Sequence, residues 1–277
     1  MLTIHADSTS DLGPELSARH NFNVIPLYVL LREKSFLDSI EIKTPDLFTW
    51  TAETGELPKT SAISVGDFIK HFDQPGEHLY IGISSQLSAT VKNAQIAASM
   101  LPNQHIRIID SMNLSSGEGL LLLKAAEMRD KGWSIDEIQA QVETSKTKVR
   151  TSFIIETLDY LYKGGRCSAM QNLMSSLLSI RPTIAMRPDG TLGVKAKTRG
   201  TRKRSLLTLI EDFKRDLPNI DLSHVFITHT GAEEDAALIY QELVNLTPIE
   251  NIHRVTAGSV IASHCGPGTL GLVYIHR

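Results

Sequence analysis

Short apolar runs that end in polar turns recur along the first half of the chain. The clearest is Leu79–Ile83, which precedes a serine-rich turn and then an alanine-rich segment that extends to Met100. This order is typical of a buried β-strand, a turn and an α-helix. Similar polar turns follow Ala6 and Ile109. The repeated alternation predicts an α/β fold with a mainly parallel sheet and helices on its faces.

The serine-rich turn predicts an anion site. Ser84, Ser85 and Ser88 lie where the strand ends and the next helix begins. Ligands of parallel sheets bind outside the carboxyl ends of the strands, and free backbone N–H groups collect at helix N-termini. Ordinary N-capping of the helix by one of these hydroxyls is the alternative interpretation. The turn alone is compatible with both.

The second half predicts another α/β unit with a mixed sheet. A strand is expected at Ser152–Ile155, and Leu173–Leu178 is an apolar helical stretch. Pro188-Asp189-Gly190 separates two β-prone runs and predicts a hairpin. We place a domain boundary at residue 152, which gives domains 1–152 and 153–277. Because no linker-like composition marks that point, we expect the two domains to be closely apposed.

Composition narrows the class of protein. The 277 residues are 42% hydrophobic and 21% charged, with a formal net charge of −3. These values are typical of a globular protein and give no general attraction to nucleic acid or to an anionic membrane. The N-terminus lacks signal-peptide features, and every apolar run is too short for a membrane span. We therefore expect a cytoplasmic protein without stable membrane insertion. Two cysteines cannot form a disulfide framework or a CxxC-based zinc site.

Common catalytic motifs are missing from the chain. It contains no P-loop, no GxSxG elbow and no HExxH sequence. Gly266, Gly268 and Gly271 match GxGxxG, but a β-prone segment follows them where a dinucleotide site needs a helix. Carboxylates after the strands are scattered over separate turns. A hydroxyl-rich site of this kind favours binding of an anionic head group over bond making.

Three further features allow a structural and a functional interpretation. His264 could bind a backbone carbonyl, donate to a carboxylate or phosphate, or form a nucleophilic pair with Cys265. Arg166 follows two glycines that could simply end a helix, yet an Arg there could also bind an anion. The basic run Lys195–Arg204 is either solvated surface or a docking face for an acidic partner. No aromatic residues interleave with it, which argues against nucleic acid.

Taken in order, these motifs resemble the DegV family over the whole chain. The resemblance rests on Ala6–Leu12 (ADSTSDL), Thr60–Ser64 (TSAIS), Ser84–Thr90 (SSQLSAT), Asp110-Ser111 with Ser116–Gly119, Leu158–Leu161 with Gly164-Gly165-Arg166, Lys197–Gly200 (KTRG) and His264–Gly268 (HCGPG). Three positions depart from the family pattern. Ile63 replaces a usual Pro, Ala89 a usual Gly and Cys265 a usual Thr, and these changes bear on loop shape and chain selectivity.

The resemblance implies a two-domain α/β protein that holds one long-chain fatty acid in an apolar tunnel between the domains. It implies no cofactor, no metal and no enzymatic activity of the chain alone. Hydroxyls of the two Ser/Thr motifs would hold the carboxylate, supported by a His and an Arg. Carried onto this sequence, the ligand-binding residues are Thr60, Ser61, Ser85, Ser88, His264 and Arg166.

The same resemblance implies a protein partner. In several bacteria such proteins present the fatty acid to a fatty acid kinase, which makes acyl phosphate for phospholipid synthesis. Arg199 would then lie on the docking face. Two hypotheses from other classes stay open at this point: an enzyme that uses the serine-rich pocket for acyl or phosphoryl transfer, and a regulatory module in which bound lipid is only structural.

Overall fold

A computed structural model describes residues 1–167 and 180–277. Its strands are β1 (Leu2–Asp7), β2 (Asn23–Ile25), β3 (Tyr28–Leu31), β4 (Lys34–Leu37), β5 (Lys59–Ser61), β6 (Glu77–Gly82), β7 (His105–Asp110), β8 (Val149–Ile154), β9 (Ile180–Met186), β10 (Leu192–Arg199), β11 (Ile220–His229), β12 (Asn251–Thr256) and β13 (Leu270–His276). Its α-helices are α1 (Gly13–Arg19), α2 (Thr44–Thr54), α3 (Val65–Phe72), α4 (Thr90–Ser99), α5 (Ser116–Asp130), α6 (Ile135–Ser145), α7 (Asp159–Gly164), α8 (Arg202–Asp216), α9 (Glu233–Leu246) and α10 (Ser259–Cys265). The helical stretch predicted at Leu173–Leu178 lies outside the described residues.

The first half is built on a parallel sheet, as the alternation predicted. Its strand order is β2-β1-β6-β7, and all three pairings are parallel. The polar turns after β1, β6 and β7 therefore meet at one edge of the sheet. This places the serine-rich turn, Ser84–Ser88, at the edge where ligands of such sheets bind.

A small antiparallel sheet, with the order β4-β3-β5, lies in the same half. The β-prone segment Asn23–Leu31 divides into β2 and β3 on either side of Pro26. Proline lacks the N–H that a continuous strand needs. Thr60 lies in β5 and pairs with Val29 of β3. The pairing partner is what makes this short polar segment a strand.

The second half contains a mixed six-stranded sheet, which confirms that prediction. Its order is β10-β9-β8-β13-β11-β12, with β11 and β12 parallel and the other neighbours antiparallel. The predicted hairpin joins β9 and β10. Strand β8 runs across residue 152, so the division into domains at that residue stays a prediction.

The two halves share their apolar cores. One cluster combines Ile4 and Leu121 of the first half with Phe226 and Val273 of the second. Helix α10 belongs to the second half in sequence, yet its residue Val260 packs into the core around α3 and α4. The close apposition of the halves is therefore a consequence of continuous packing.

Carboxylates of the first half also hold the start of α10. The Gly258 N–H donates to Asp11 Oδ1 (2.8 Å), and the Val260 N–H donates to Asp38 Oδ1 (3.2 Å). Thr44 Oγ1 donates to the Ala257 carbonyl (2.7 Å). Side-chain oxygens that accept from the free N–H groups at a helix N-terminus stabilise the helix. His264 lies in the last turn of α10. These contacts at the start of the helix therefore fix the position of the His264 side chain relative to the first half.

Burial of these carboxylates has an electrostatic effect. Desolvation raises the pKa of Asp11 to about 8 and also raises the pKa of Asp38.

In the part of the chain that the structure describes, no helix combines the length and apolar character needed to span a bilayer.

Candidate functional site

A cavity of about 500 Å³ lies where β5, the serine-rich turn, α7 and α10 meet. Its volume is within the range of small-molecule sites. Its lining contains two kinds of side chain. The polar ones are Thr60, Ser61, Ser64, Ser88, Asn93, Arg166 and His264. The larger apolar ones are Leu27, Ile83, Leu87, Leu114, Leu161, Leu192, Val260 and Ile261.

The apolar part of the lining continues into a core cluster that both halves build. Ile83 and Leu114 come from the first half, and Leu161, Leu192 and Ile261 come from the second. Each of these side chains is buried. The cavity therefore offers a hydrocarbon-like environment next to a set of hydroxyl groups.

A hydrogen bond between Thr60 and His264 joins the two halves within the cavity. Thr60 Oγ1 lies 2.7 Å from His264 Nε2. Strand β5 positions Thr60, and α10 positions the imidazole. Burial, and secondarily the charge of Arg166, lowers the pKa of His264 to about 3. The imidazole is therefore neutral at physiological pH and carries one proton on one nitrogen.

The surroundings of the other nitrogen decide which one carries the proton. Among the described residues, His264 Nδ1 is buried without a hydrogen-bond partner. It faces Gly164, where an added Cβ would lie 2.6 Å from it. A buried unpaired N–H is rarer than an unpaired acceptor, so we assign the proton to Nε2. Nε2–H then donates to Thr60 Oγ1, and the Thr60 hydroxyl proton is free for a third group.

Arg166 brings positive charge to the cavity. The preceding glycines do end a helix, since α7 closes with Gly165 in the left-handed conformation (φ 70°). Arg166 Nε donates to the Leu87 carbonyl (3.3 Å), and Nη1 donates to the Gly164 carbonyl (2.6 Å). Desolvation lowers the pKa of its guanidinium, which still stays charged at neutral pH. Arg166 thus contacts both halves beside the cavity.

The serines of the turn have different environments. Ser88 lines the cavity, and its Oγ lies 2.7 Å from Thr90 Oγ1 and accepts from the Thr90 N–H (3.3 Å). Ser85 is exposed and does not line the cavity, and its backbone N–H faces the Asp110 carboxylate at 3.3 Å. Ser84 Oγ donates to the Gly190 carbonyl in the β9–β10 hairpin (2.8 Å). Of the three, the structure therefore brings Ser88 to Thr60, Ser61, Arg166 and His264.

Two cavity residues were not predicted as ligand contacts. Ser64 caps α3 by accepting from the Asp67 N–H (3.1 Å), and it also lines the cavity. Asn93 lies near the start of α4, and a polar residue in a helix is usually expected to face solvent rather than a cavity. Its Nδ2 donates to the Ile63 carbonyl (2.7 Å), which ties the helix to the TSAIS segment.

The geometry does not favour the nucleophilic pair. Burial, followed by the field of Asp11, raises the pKa of the Cys265 thiol to about 12. A nucleophilic cysteine needs the thiolate, and burial lowers the pKa of His264 to about 3, which makes its imidazole a weak acceptor for the thiol proton. Within residues 1–167 and 180–277, no group of three or more His, Cys, Asp or Glu side chains could hold a metal ion.

Gly164→Ala tests the assigned arrangement of His264. The new methyl group would lie too close to Nδ1, so the ring must shift, and the shift would disturb its bond to Thr60. We expect the pKa of His264 to rise from about 3 toward its ordinary value of ~6.5 as water reaches the ring. Nitrogen NMR of the imidazole measures both the tautomer and the pKa. Gly66→Ala is the control, because the nearest atom to its added Cβ is Ser64 Oγ at 3.8 Å. An unchanged His264 titration in Gly164→Ala would contradict the arrangement.

Comparison with known proteins identifies the family of this chain. The chain is 32% identical to a DegV domain-containing protein from Clostridium perfringens, over 98% of this chain and 96% of that protein. The fold of this chain matches the solved structure of a DegV family protein from Thermus thermophilus, a structure described for its fatty acid binding. That match has a TM-score of 0.93 and 29% identity, and it covers 100% of this chain and 99% of the other.

A second solved structure supports the same assignment. DegV, a fatty acid binding protein from Bacillus subtilis, matches with a TM-score of 0.89 and 28% identity, over 100% of this chain and 99% of the other. A family model described as "Uncharacterised protein, DegV family" matches residues 1–277. The chain therefore belongs to the DegV family.

Proposed function

We propose that this protein binds one long-chain fatty acid in the cavity between its halves. The observation that carries the proposal is the bonded pair Thr60–His264, which places a free hydroxyl proton beside an apolar cavity. The relatives described as fatty acid binding proteins support the choice of ligand. The carboxylate lies among Thr60, Ser61 and Ser88, and the chain lies along the apolar lining.

The polar side chains meet the main energetic demand of such a ligand. A buried carboxylate is costly unless several donors bind it. Thr60 donates its hydroxyl proton, because His264 already donates to its oxygen, and such a chain of bonds polarises the donor. Ser88 lies at the N-terminus of α4, where the helix dipole favours a negative charge. Arg166 adds positive charge. Ser85 would reach the carboxylate only after its turn rearranges.

The apolar lining provides most of the affinity. Burying ~14 methylenes at ~0.8 kcal/mol each gives a ceiling of about 11 kcal/mol before the costs of binding. Leu114, Leu192 and Ile261 are almost fully buried and would contact the chain. A ligand held in this way should survive purification.

Native mass spectrometry of the purified protein tests the proposal. We expect a mass increase that matches one fatty acid per chain, and uptake of added palmitate or oleate by protein that has been stripped of lipid. A protein that carries no acyl chain and takes up neither acid would contradict the proposal. Turnover of an acyl ester or of ATP by the isolated chain, lost in Ser85→Ala, would support the enzyme hypothesis in its place.

We also propose that the protein presents its fatty acid to a fatty acid kinase through the surface around Arg199. This residue ends β10 and is exposed, and among the described residues it forms no ion pair. Arg202, in contrast, is bound to Glu156 and Asp235 (2.7 and 2.5 Å). The guanidinium of Arg199 is therefore available to an acidic partner.

Arg199→Ala should separate docking from ligand binding. We expect fatty acid binding to remain unchanged, because Arg199 does not line the cavity. Phosphorylation of the bound acid by a partner kinase should fall by about tenfold or more, as for loss of a charged interface contact. Lys34→Ala, which removes an exposed cation outside the Lys195–Arg204 run, is the control and should leave phosphorylation unchanged. Equal phosphorylation of the Arg199→Ala protein and the unchanged protein would show that Arg199 has no docking role.

A further inference from the structure

A second cavity, of about 640 Å³, has a strongly basic lining. It is separate from the fatty acid cavity, and we call it the basic groove. Its cationic side chains are Lys146, Arg150, Arg187, Lys195 and Arg215, and the single acid among its lining residues is Asp216. The net charge of the chain is −3, so this local excess of cations does not reflect the overall composition.

Small residues on three neighbouring strands form the floor of the basic groove. Ser152 of β8 pairs with Ala185 of β9, and Ala185 pairs with Gly193 of β10. Alternate residues of a strand share a face, so Arg150 and Arg187 lie on the same face as this floor. Each lies two residues beyond the last pair of the β8–β9 ladder, Ser152 and Ala185. Phe153, Ile184 and Leu192, which neighbour the floor residues in sequence, point to the other face.

That other face belongs to the fatty acid cavity. Phe153, Ile184 and Leu192 alternate with the floor residues and join the apolar cluster beside the proposed acyl chain. The sheet therefore separates the basic groove from the fatty acid. A ligand in the groove would occupy its own site, whether or not a fatty acid is bound on the other side of the sheet.

The arginine side chains are placed to bind an anion. Lys146, Lys195 and Arg215 are paired with nearby carboxylates. Arg150 and Arg187 have no carboxylate ion pair among the described residues. Arg150 Nη1 donates only to backbone carbonyls, of Thr147 and Val149 (3.0 and 3.1 Å).

Arg187 lies flat across the floor of the basic groove. An added Cβ on Gly193 would be 2.1 Å from Arg187 Nε, so this glycine makes room for the guanidinium. Asp189 lies in the same hairpin, but its carboxylate accepts from the N–H and hydroxyl of Thr191 (3.0 and 2.6 Å). The Arg187 guanidinium is therefore oriented by the sheet and left without a bound acid.

We propose that the basic groove is a binding site for a phosphate monoester, whose dianionic head group contacts Arg150 and Arg187. Two guanidinium groups on one face match the oxygens of a tetrahedral dianion better than the surface of a protein partner, because the site is concave. The head group can belong to a soluble phosphate compound or to a lipid. Both sources share this chemistry, and the experiment separates them.

The test measures phosphate binding to the full chain in two ways. Calorimetric titration with inorganic phosphate and with methyl phosphate measures a soluble ligand. Cosedimentation with phosphatidylcholine vesicles, with or without phosphatidic acid, measures a lipid head group. Binding in either arm supports the proposal and identifies the source. Binding in neither arm overturns it.

Variants of the groove show whether binding is specific. Arg150→Gln combined with Arg187→Gln should lower the affinity by at least about tenfold, since each loses a charge-assisted contact. Gly193→Ala keeps the charge but displaces Arg187, and it should also weaken binding. The control, Lys34→Gln combined with Lys131→Gln, removes two exposed cations elsewhere and should leave binding unchanged.

The outcomes separate a built site from general attraction. If the control pair loses as much affinity as the arginine pair, the binding reflects net charge alone and the proposal is wrong. The fatty acid content of each variant, measured by native mass spectrometry, should remain that of the unchanged protein. A result in this groove therefore stands apart from success or failure of the fatty acid proposal.

Discussion

Thr60→Val combined with Ser88→Ala should weaken fatty acid binding by about a hundredfold or more. Each change removes one hydroxyl donor to a buried carboxylate, and such a bond contributes roughly 1.5–3 kcal/mol. Thr60→Val also leaves His264 Nε2–H without its acceptor, which is 2.7 Å away in the unchanged protein. Both substitutions are close to isosteric, so the apolar lining should stay intact.

Displacement of a fluorescent fatty acid measures this loss. Thr144→Val combined with Ser99→Ala is the matched control. Those hydroxyls lie on exposed helix surfaces and donate to the carbonyls of Ala140 and Ile96. If the cavity variant and the control bind with equal affinity, the carboxylate does not lie at Thr60 and Ser88.

Asp7→Ala should lower the free energy of unfolding by about 3–5 kcal/mol, since it leaves several buried donors without an acceptor. Asp7 is fully buried and accepts from the Tyr80 hydroxyl (2.8 Å), the Ile83 N–H (3.0 Å) and the Thr9 N–H (2.9 Å). The Thr9 hydroxyl also donates to it. Burial raises the pKa of this carboxyl, which the same bonds partly oppose.

Urea denaturation measures the effect, with Asp73→Ala as an exposed control. Asp7→Asn should cost less than Asp7→Ala, because the amide keeps one acceptor oxygen in the same place. A loss in Asp7→Ala no larger than that of the control would mean that these bonds do not support the fold. The position matters for the site as well, because Ile83 directly precedes the serine-rich turn.

The parallel sheet and its polar edge were predictable because they follow from local patterns. An apolar run such as Leu79–Ile83 indicates a buried strand, and the polar turn after it indicates where that strand ends. Thr60 was harder, because a polar segment of three residues becomes a strand only through its pairing with β3. No local pattern carries that information.

The candidate site depends on contacts between distant parts of the chain. Thr60 and His264 meet across both halves, and α10 is held by Asp11 and Asp38 from the opposite end of the sequence. Residue types and spacing in one sequence do not reveal such pairs, and only the family resemblance suggested that Thr60 and His264 act together. Similarly, the turn sequence could not show that Ser88 lines the cavity.

A crystal structure of the protein with palmitate tests the central claim most directly. We predict a carboxylate oxygen within hydrogen-bond distance, about 2.5–3.0 Å, of both Thr60 Oγ1 and Ser88 Oγ. The acyl chain should lie against Leu114, Leu192 and Ile261, between the two halves. A palmitate bound elsewhere, or a carboxylate in solvent while Thr60 contacts only His264, would contradict the account.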